Sequence, residues 1–159
     1  MTRINLVPPS ELMDQHLFAE FRELKMVPKS LRRSLQAARI RHIKREGYTE
    51  KHFLGRVAEA DVLSSIPPRF TLNTGHVSFF YDKGAYLVQR YAALRAELEA
   101  RGINFNRESP LDPDGTMQVA PWNGSWEPDD AALHIIRTRI AEKIAMKPSW
   151  YRYTRHAVA

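Results

Sequence analysis

The sequence predicts an all-α fold: a single compact domain of three main helices, an inserted basic helical hairpin, and an extended N-terminus packed against the helices. Three observations predict it. Apolar residues recur at helical spacing over long stretches, most clearly Leu87, Tyr91, Leu94 and Leu98, and again Leu133, Ile136, Ile140 and Ile144. No segment sustains the period-two alternation of a half-buried strand. Proline and glycine punctuate the chain between the periodic stretches, as turn residues do.

Pro8 and Pro9 close an extended N-terminal segment, and Ser10 is placed to cap a first helix beginning near Glu11, with Glu11 and Asp14 in the dipole-favoured first turn. Leu17, Phe21 and Leu24 form its apolar stripe, with His16 and Glu23 seven apart on a polar flank beside Gln15 and Arg22. Pro28 and Ser30 separate it from a basic helix over residues 31–45, followed by a third helical stretch from Glu50 to about Leu63 that Pro67 and Pro68 end. After the aromatic run at residues 76–83, Asp82 is positioned to cap a long helix that Arg101 and Gly102 terminate. Residues 103–126 hold three prolines and the acids Glu108, Asp112 and Asp114, which reads as a long surface loop. The last helix has Pro128 at its first position, a basic stripe of Arg139, Lys143 and Lys147 at spacing four, and Pro148 as its stop.

A chain of 159 residues is the size of one ordinary domain. It has no cysteine, which excludes disulfides, thiolate metal sites and a cysteine nucleophile. No apolar run reaches signal-peptide or membrane-spanning length, so the expectation is a cytoplasmic monomer with no membrane partner. The 24 Lys and Arg against 18 Asp and Glu leave a formal charge of +6, the balance of a protein with an anionic partner, nucleic acid being the commonest. Seven of those cations plus His42 fall in residues 29–45 with no acid among them, although such a run also describes a merely solvated face.

Signatures of most hydrolytic chemistry are missing: there is no Gly-rich phosphate loop, HExxH, GxSxG or paired-Asp nuclease motif, and the six histidines lack metal-ligand spacing. His76, beside aromatics, reads as a hydrogen-bonded core histidine rather than a ligand. On its residues alone, Glu23 reads as a surface acid paired with Arg22 or Lys25.

Four blocks, in order, carry a resemblance. They are Thr2-Arg3-Ile4-Asn5-Leu6 with Ser10-Glu11-Leu12, Asp14-Gln15-His16-Leu17 and Arg22-Glu23-Leu24; Gly75-His76-Val77-Ser78-Phe79-Phe80-Tyr81-Asp82-Lys83; Glu142-Lys143-Ile144-Ala145; and Pro148-Ser149-Trp150-Tyr151-Arg152-Tyr153. Together they make the chain similar to the pyrimidine-dimer DNA glycosylase family of ultraviolet-repair enzymes. Residues 29–65 and 103–126 lie outside these blocks.

The resemblance implies a reaction without metal or cofactor. Met1 is removed, the Thr2 α-amine attacks C1′ of the damaged nucleotide to form an imine, and β-elimination then cleaves the strand. An α-amine suits that role, since its pKa of about 7.7–8 leaves a nucleophilic fraction at neutral pH. By the same resemblance Glu23 is the essential carboxylate, and Arg3, Arg22, Arg139 and Lys143 contact duplex DNA bearing ultraviolet damage. Gln15 and His16 belong to the damage-proximal stripe, Lys25 and Lys147 extend the DNA-binding set, and Trp150, Tyr151 and Tyr153 form a damage-recognition patch whose bland counterpart is C-terminal core packing. One departure is that the family's basic residue three positions after the glutamate is Met26 here, which loses that contact or shifts it to Lys25. Two other classes stay open at this point: a noncatalytic helical DNA-binding protein, and an amidohydrolase using the Thr2 hydroxyl.

Overall fold

A computed structural model describes residues 3–156. Among them are five α-helices and no β-strand: α1 (Asp14–Glu23), α2 (Met26–Glu46), α3 (Lys51–Ser65), α4 (Gly84–Arg101) and α5 (Asp130–Met146). The all-α expectation holds, α2 and α3 forming the hairpin and the N-terminal segment lying against the core.

The helix starts depart from the sequence reading where tertiary partners do the capping. Pro9–Glu11 is a separate 3-10 turn and α1 begins at Asp14, not near Glu11. The Ser10 side chain caps nothing. Instead the Asp14 N–H donates to the Arg152 carbonyl at 2.8 Å, so the C-terminal segment supplies the cap. Pro28 lies inside the first turn of α2 rather than before it, where a missing N–H costs no intrahelical bond. Its ring and its absent donor leave the Leu24 carbonyl to a tighter bond from Val27 N at 3.1 Å, and the helix breaks at Leu24 and Lys25. Pro128 precedes the N-cap of α5, which is Asp129, accepting from Ala132 N at 2.7 Å. Glu50 caps α3 by accepting from His52 N and Phe53 N.

Asp82 does not cap α4; its carboxylate pairs with Lys83. The loop over residues 103–126 does that work through its backbone, with Gly84 N donating to the Trp122 carbonyl at 2.7 Å and Ala85 N to the Gly124 carbonyl at 3.0 Å. The approach is so close that a Cβ on Gly84 would stand 1.9 Å from the Met117 carbonyl oxygen. Leu111, Met117 and Trp122 of this loop are buried, and buried Asp112 accepts from Thr116 N and Met117 N. The segment is a long surface loop, as expected, pinned to the core by these four side chains while half of its residues stay exposed.

The N-terminal segment is held at every residue from 3 to 7 except one. Arg3 donates to the Leu72 carbonyl (2.6 Å), Ile4 N to His76 Nε2 (2.9 Å) and Asn5 N to Glu20 Oε1 (3.1 Å), while the Val7 carbonyl accepts from Arg90 (2.5 Å). Leu6 takes a φ of 59°, rare for a branched side chain, inside a three-residue turn closed by Val7 N and the Asn5 carbonyl. Burial of Ile4, Leu6 and Val7 offsets that cost.

His76 is the core histidine expected, 3% exposed. Nε2 accepts from Ile4, so Nδ1 carries the proton and donates to the Thr71 carbonyl at 2.8 Å. Burial lowers its pKa; the Thr71 carbonyl opposes, the Arg3 charge adds to the lowering, and Glu20 opposes. As the pH drops below about 6.5, the unfolded chain therefore takes up a proton that the folded state resists, and stability falls. His16, also lowered, acts in the same direction. Denaturant unfolding is expected to show a lower midpoint at about pH 5 than at about pH 7.5; an equal or higher midpoint at pH 5 contradicts this account.

Candidate active site in the cleft between the first and last helices

A cleft of about 280 Å³ opens between α1 and α5. Each helix lines it with one stripe at offsets 0, 3, 4 and 7: His16, Ala19, Glu20 and Glu23 from α1, and Ile136, Arg139, Ile140 and Lys143 from α5. Arg3 and Asn5 of the N-terminal segment and Tyr151 complete the lining. Of the residues predicted from sequence, the fold therefore brings together Arg3, His16, Glu23, Arg139, Lys143 and Tyr151. Thr2 lies outside the described residues.

The two carboxylates of the cleft have different surroundings. Glu20 is 1% exposed and accepts from Arg90 Nε at 2.6 Å and Nη2 at 2.9 Å, as well as from the Asn5 amide. It is neutralised and anchors the N-terminal segment. Glu23 has no hydrogen-bond or ion-pair partner among the described residues, and the surface pairing with Arg22 or Lys25 is not what the fold makes. Arg22 lies over the Phe18 ring, and Lys25 donates to Ser109 Oγ at 2.7 Å. Glu23 is instead a half-buried carboxylate facing Arg3, Arg139 and Lys143 across a small cavity.

The cleft also holds unused polar capacity. His16 Nδ1 and Arg139 Nε are both buried without a hydrogen-bond partner among the described residues, an arrangement costly in a finished core and natural where a ligand completes it. Burial first, and Lys143 second, lower the pKa of His16, which keeps the ring neutral near pH 7. The Tyr151 ring packs on it with centroids 4.7 Å apart. Burial and Arg139 lower the pKa of Arg3, the Glu23 carboxylate opposing them, yet a guanidinium starting so high stays charged.

Other predicted residues are placed elsewhere. Gln15 commits both ends of its carboxamide to backbone on either side of Tyr151: Nε2 donates to the Trp150 carbonyl at 2.6 Å and Oε1 accepts from Arg152 N at 3.0 Å. Arg22 and Trp150 line a separate groove with Phe18, and Trp150 is 56% exposed. Tyr153 is tied down, its hydroxyl donating to the Ser10 carbonyl and its ring 4.2 Å beneath the Arg101 guanidinium. Lys25 joins Lys29 and Arg32 at a third depression, and Lys147 lies just beyond the end of α5.

Sequence reasoning missed Asn5 and Glu20. Glu20 was within reach, since it lies four after His16 and three before Glu23 on one helical stripe. Its partner Arg90 carries no local signal. A neighbouring cavity of about 510 Å³ shares Arg3 and Arg139 and adds Phe70, Asn73, His134 and Glu142. Among the described residues, no three His, Asp or Glu side chains gather as a metal-binding set, and no helix is long and apolar enough to cross a membrane.

These features define a small, basic, helical protein whose cleft presents a carboxylate, without a partner among the described residues, to a cationic rim suited to an anionic ligand. The chain matches the pyrimidine dimer DNA glycosylase family over residues 1–111, and it belongs to that family of DNA-repair glycosylases. The matched segment contains Arg3, His16, Glu20 and Glu23, while Arg139, Lys143 and Tyr151 lie beyond it.

Proposed function

We propose that the protein excises cyclobutane pyrimidine dimers from duplex DNA and then cleaves the strand as an apurinic/apyrimidinic lyase, using the Thr2 α-amine once Met1 is removed. The observation that carries this reading is the shared lining of one cleft by Glu23 and by Arg3, the residue next to Thr2 in the chain.

The amine nitrogen bonds to C1′ as the glycosidic bond breaks, with its electron pair leaving on the base. Loss of the amine proton and opening of the sugar ring at O4′ give the iminium. Glu23 stabilises the positive charge developing at the sugar and exchanges protons with O4′ and C2′. The iminium acidifies the C2′ hydrogens; removing one forms the C2′–C3′ double bond and expels the 3′ phosphate. Water releases the enzyme by hydrolysing the imine. Arg139, Lys143 and Arg3 hold phosphates flanking the sugar, which orients the strand without reading sequence. Neutral His16 donates or accepts one hydrogen bond at the extruded nucleotide, with the tilted Tyr151 ring packed against it. Gln15 acts on this site by holding the backbone of Tyr151, and Arg22 with Trp150 makes a separate contact outside the cleft.

Borohydride reduction during turnover tests this chemistry. Protein shown by intact mass to begin at Thr2 is expected to form a covalent adduct with dimer-containing or abasic duplex, and Thr2→Gly to keep forming it, since the amine survives. No adduct from protein with a free Thr2 amine, despite binding, overturns the imine mechanism. Loss of the adduct in Thr2→Gly favours a reaction of the hydroxyl instead.

A further inference from the structure

The cleft uses none of the cations on the outer side of the α2–α3 hairpin. The 21 residues of α2 extend about 32 Å at 1.5 Å each. The chain turns back at Gly47, with φ of 81°, and α3 packs along α2 over buried Ala38, Ala58 and Val62. With Leu31, Leu35 and Ala38 turned inward, the opposite stripe of α2 carries Lys29, Arg33, Ile40 and Lys44, all exposed.

Charge pairing separates two kinds of cation on this hairpin. Arg32 pairs with Asp114, and Arg41 with Asp61 at 2.6 Å, so these two fasten the hairpin to the loop and to itself. Lys29, Arg33 and Lys44 have no carboxylate partner among the described residues. At the tip Tyr48 is 91% exposed, with Lys44 and Arg45 before it and Lys51 after it, and with exposed Glu46 and the helix-capping Glu50 between them. A large aromatic left in solvent at the end of a row of cations without carboxylate partners is an arrangement by which proteins hold nucleic acid, the cations on phosphates and the ring on a sugar or base. The row begins six residues after Glu23 in the chain, where Lys29 shares a depression with Lys25 and Arg32. From Lys29 to Lys44 it spans about 22 Å, or about six phosphate steps at 3.4 Å.

We propose that the α2–α3 hairpin is a second DNA contact, laying Lys29, Arg33 and Lys44 along the duplex backbone beside the lesion with Tyr48 packed against the strand at the far end. The inference rests on duplex DNA being the substrate. The hairpin adds affinity for the flank and contributes nothing to bond breaking.

The test is the combined variant Arg33→Ser, Lys44→Ser, Tyr48→Ala, whose three side chains are exposed and whose fold is checked by its unfolding midpoint. Losing two phosphate contacts is expected to lower the slope of log affinity against log salt by about 1.8. The natural protein is expected to bind a dimer-containing duplex more tightly as its flank lengthens past about ten base pairs, and the variant to lose that gain. Single-turnover cleavage at saturating DNA should be unchanged. An unaltered salt slope and length dependence overturn the second contact alone. If the natural protein binds no duplex, damaged or plain, the inference falls together with the functional reading beneath it. If the variant loses cleavage at saturating DNA with its fold intact, the hairpin belongs to the chemistry and the inference is wrong in that form.

Discussion

Glu23→Gln is expected to abolish strand cleavage and adduct formation, by about 10²- to 10⁴-fold, while lesion-bearing duplex is still bound. The amide has the shape of the carboxylate, so the α1 stripe keeps its packing, but it cannot take up a proton or balance a cationic sugar. Binding should hold or tighten. The substitution removes the Glu23 negative charge from a cleft otherwise rimmed by Arg3, Arg139 and Lys143, and incoming phosphates then meet less repulsion. Because Glu23 has no partner among the described residues, its loss strands no buried cation, and the unfolding midpoint should stay near that of the natural protein. Single-turnover cleavage within tenfold of the natural rate would remove Glu23 from the chemistry. A large fall in stability would reassign it as a structural residue.

The second large effect is on the fold. Arg90→Ala is expected to destabilise the protein by about 3–5 kcal/mol, the range for breaking one side of a buried ion pair. The Arg90 and Glu20 side chains are 5% and 0% exposed. Burial works against the Arg90 charge, but Glu20 outweighs it and holds the pKa above its usual value. Without the guanidinium, Glu20 is left as a nearly uncompensated buried carboxylate, and the Val7 carbonyl loses its donor. For a domain of this size that is a fall in melting temperature of roughly 10 °C or more. Activity should fall further than stability alone accounts for, because Glu20 also holds Asn5 and thereby the segment that leads to the cleft. In a cycle with Glu20→Gln, the double variant is expected to cost less than the two single changes added together. Additive costs would mean that the pair is not coupled.

The parts legible in the sequence share a physical character. The apolar stripes of α4 and α5 could be read because helical periodicity is a property of neighbours in the chain. The same rule placed His16 and Glu23 on one flank and Arg139 and Lys143 on one face, so two walls of the cleft were visible before the fold was. The start of α3 near Glu50 and the end of α4 at Gly102, left-handed with φ of 72°, are equally local features. Errors gathered where a distant segment supplies what a neighbour usually does. Ser10 and Asp82 are sound capping residues, but the Arg152, Trp122 and Gly124 carbonyls took the amides at the starts of α1 and α4 instead. Gln15, expected on the damage-proximal stripe beside His16, instead has both its donor and its acceptor occupied by the C-terminal segment.

By itself, then, the sequence determined the helical class, the basic character and the stripes that bear the site, since each follows from spacing and composition. Only the tertiary structure decided that α1 and α5 face one another across a cavity with Arg3 at its edge. It also decided that Glu20 is neutralised by Arg90 while Glu23 has no partner among the described residues. Two carboxylates three residues apart on one helix are alike in sequence; what separates them is a guanidinium 70 positions away, brought within 2.6 Å of one and not of the other.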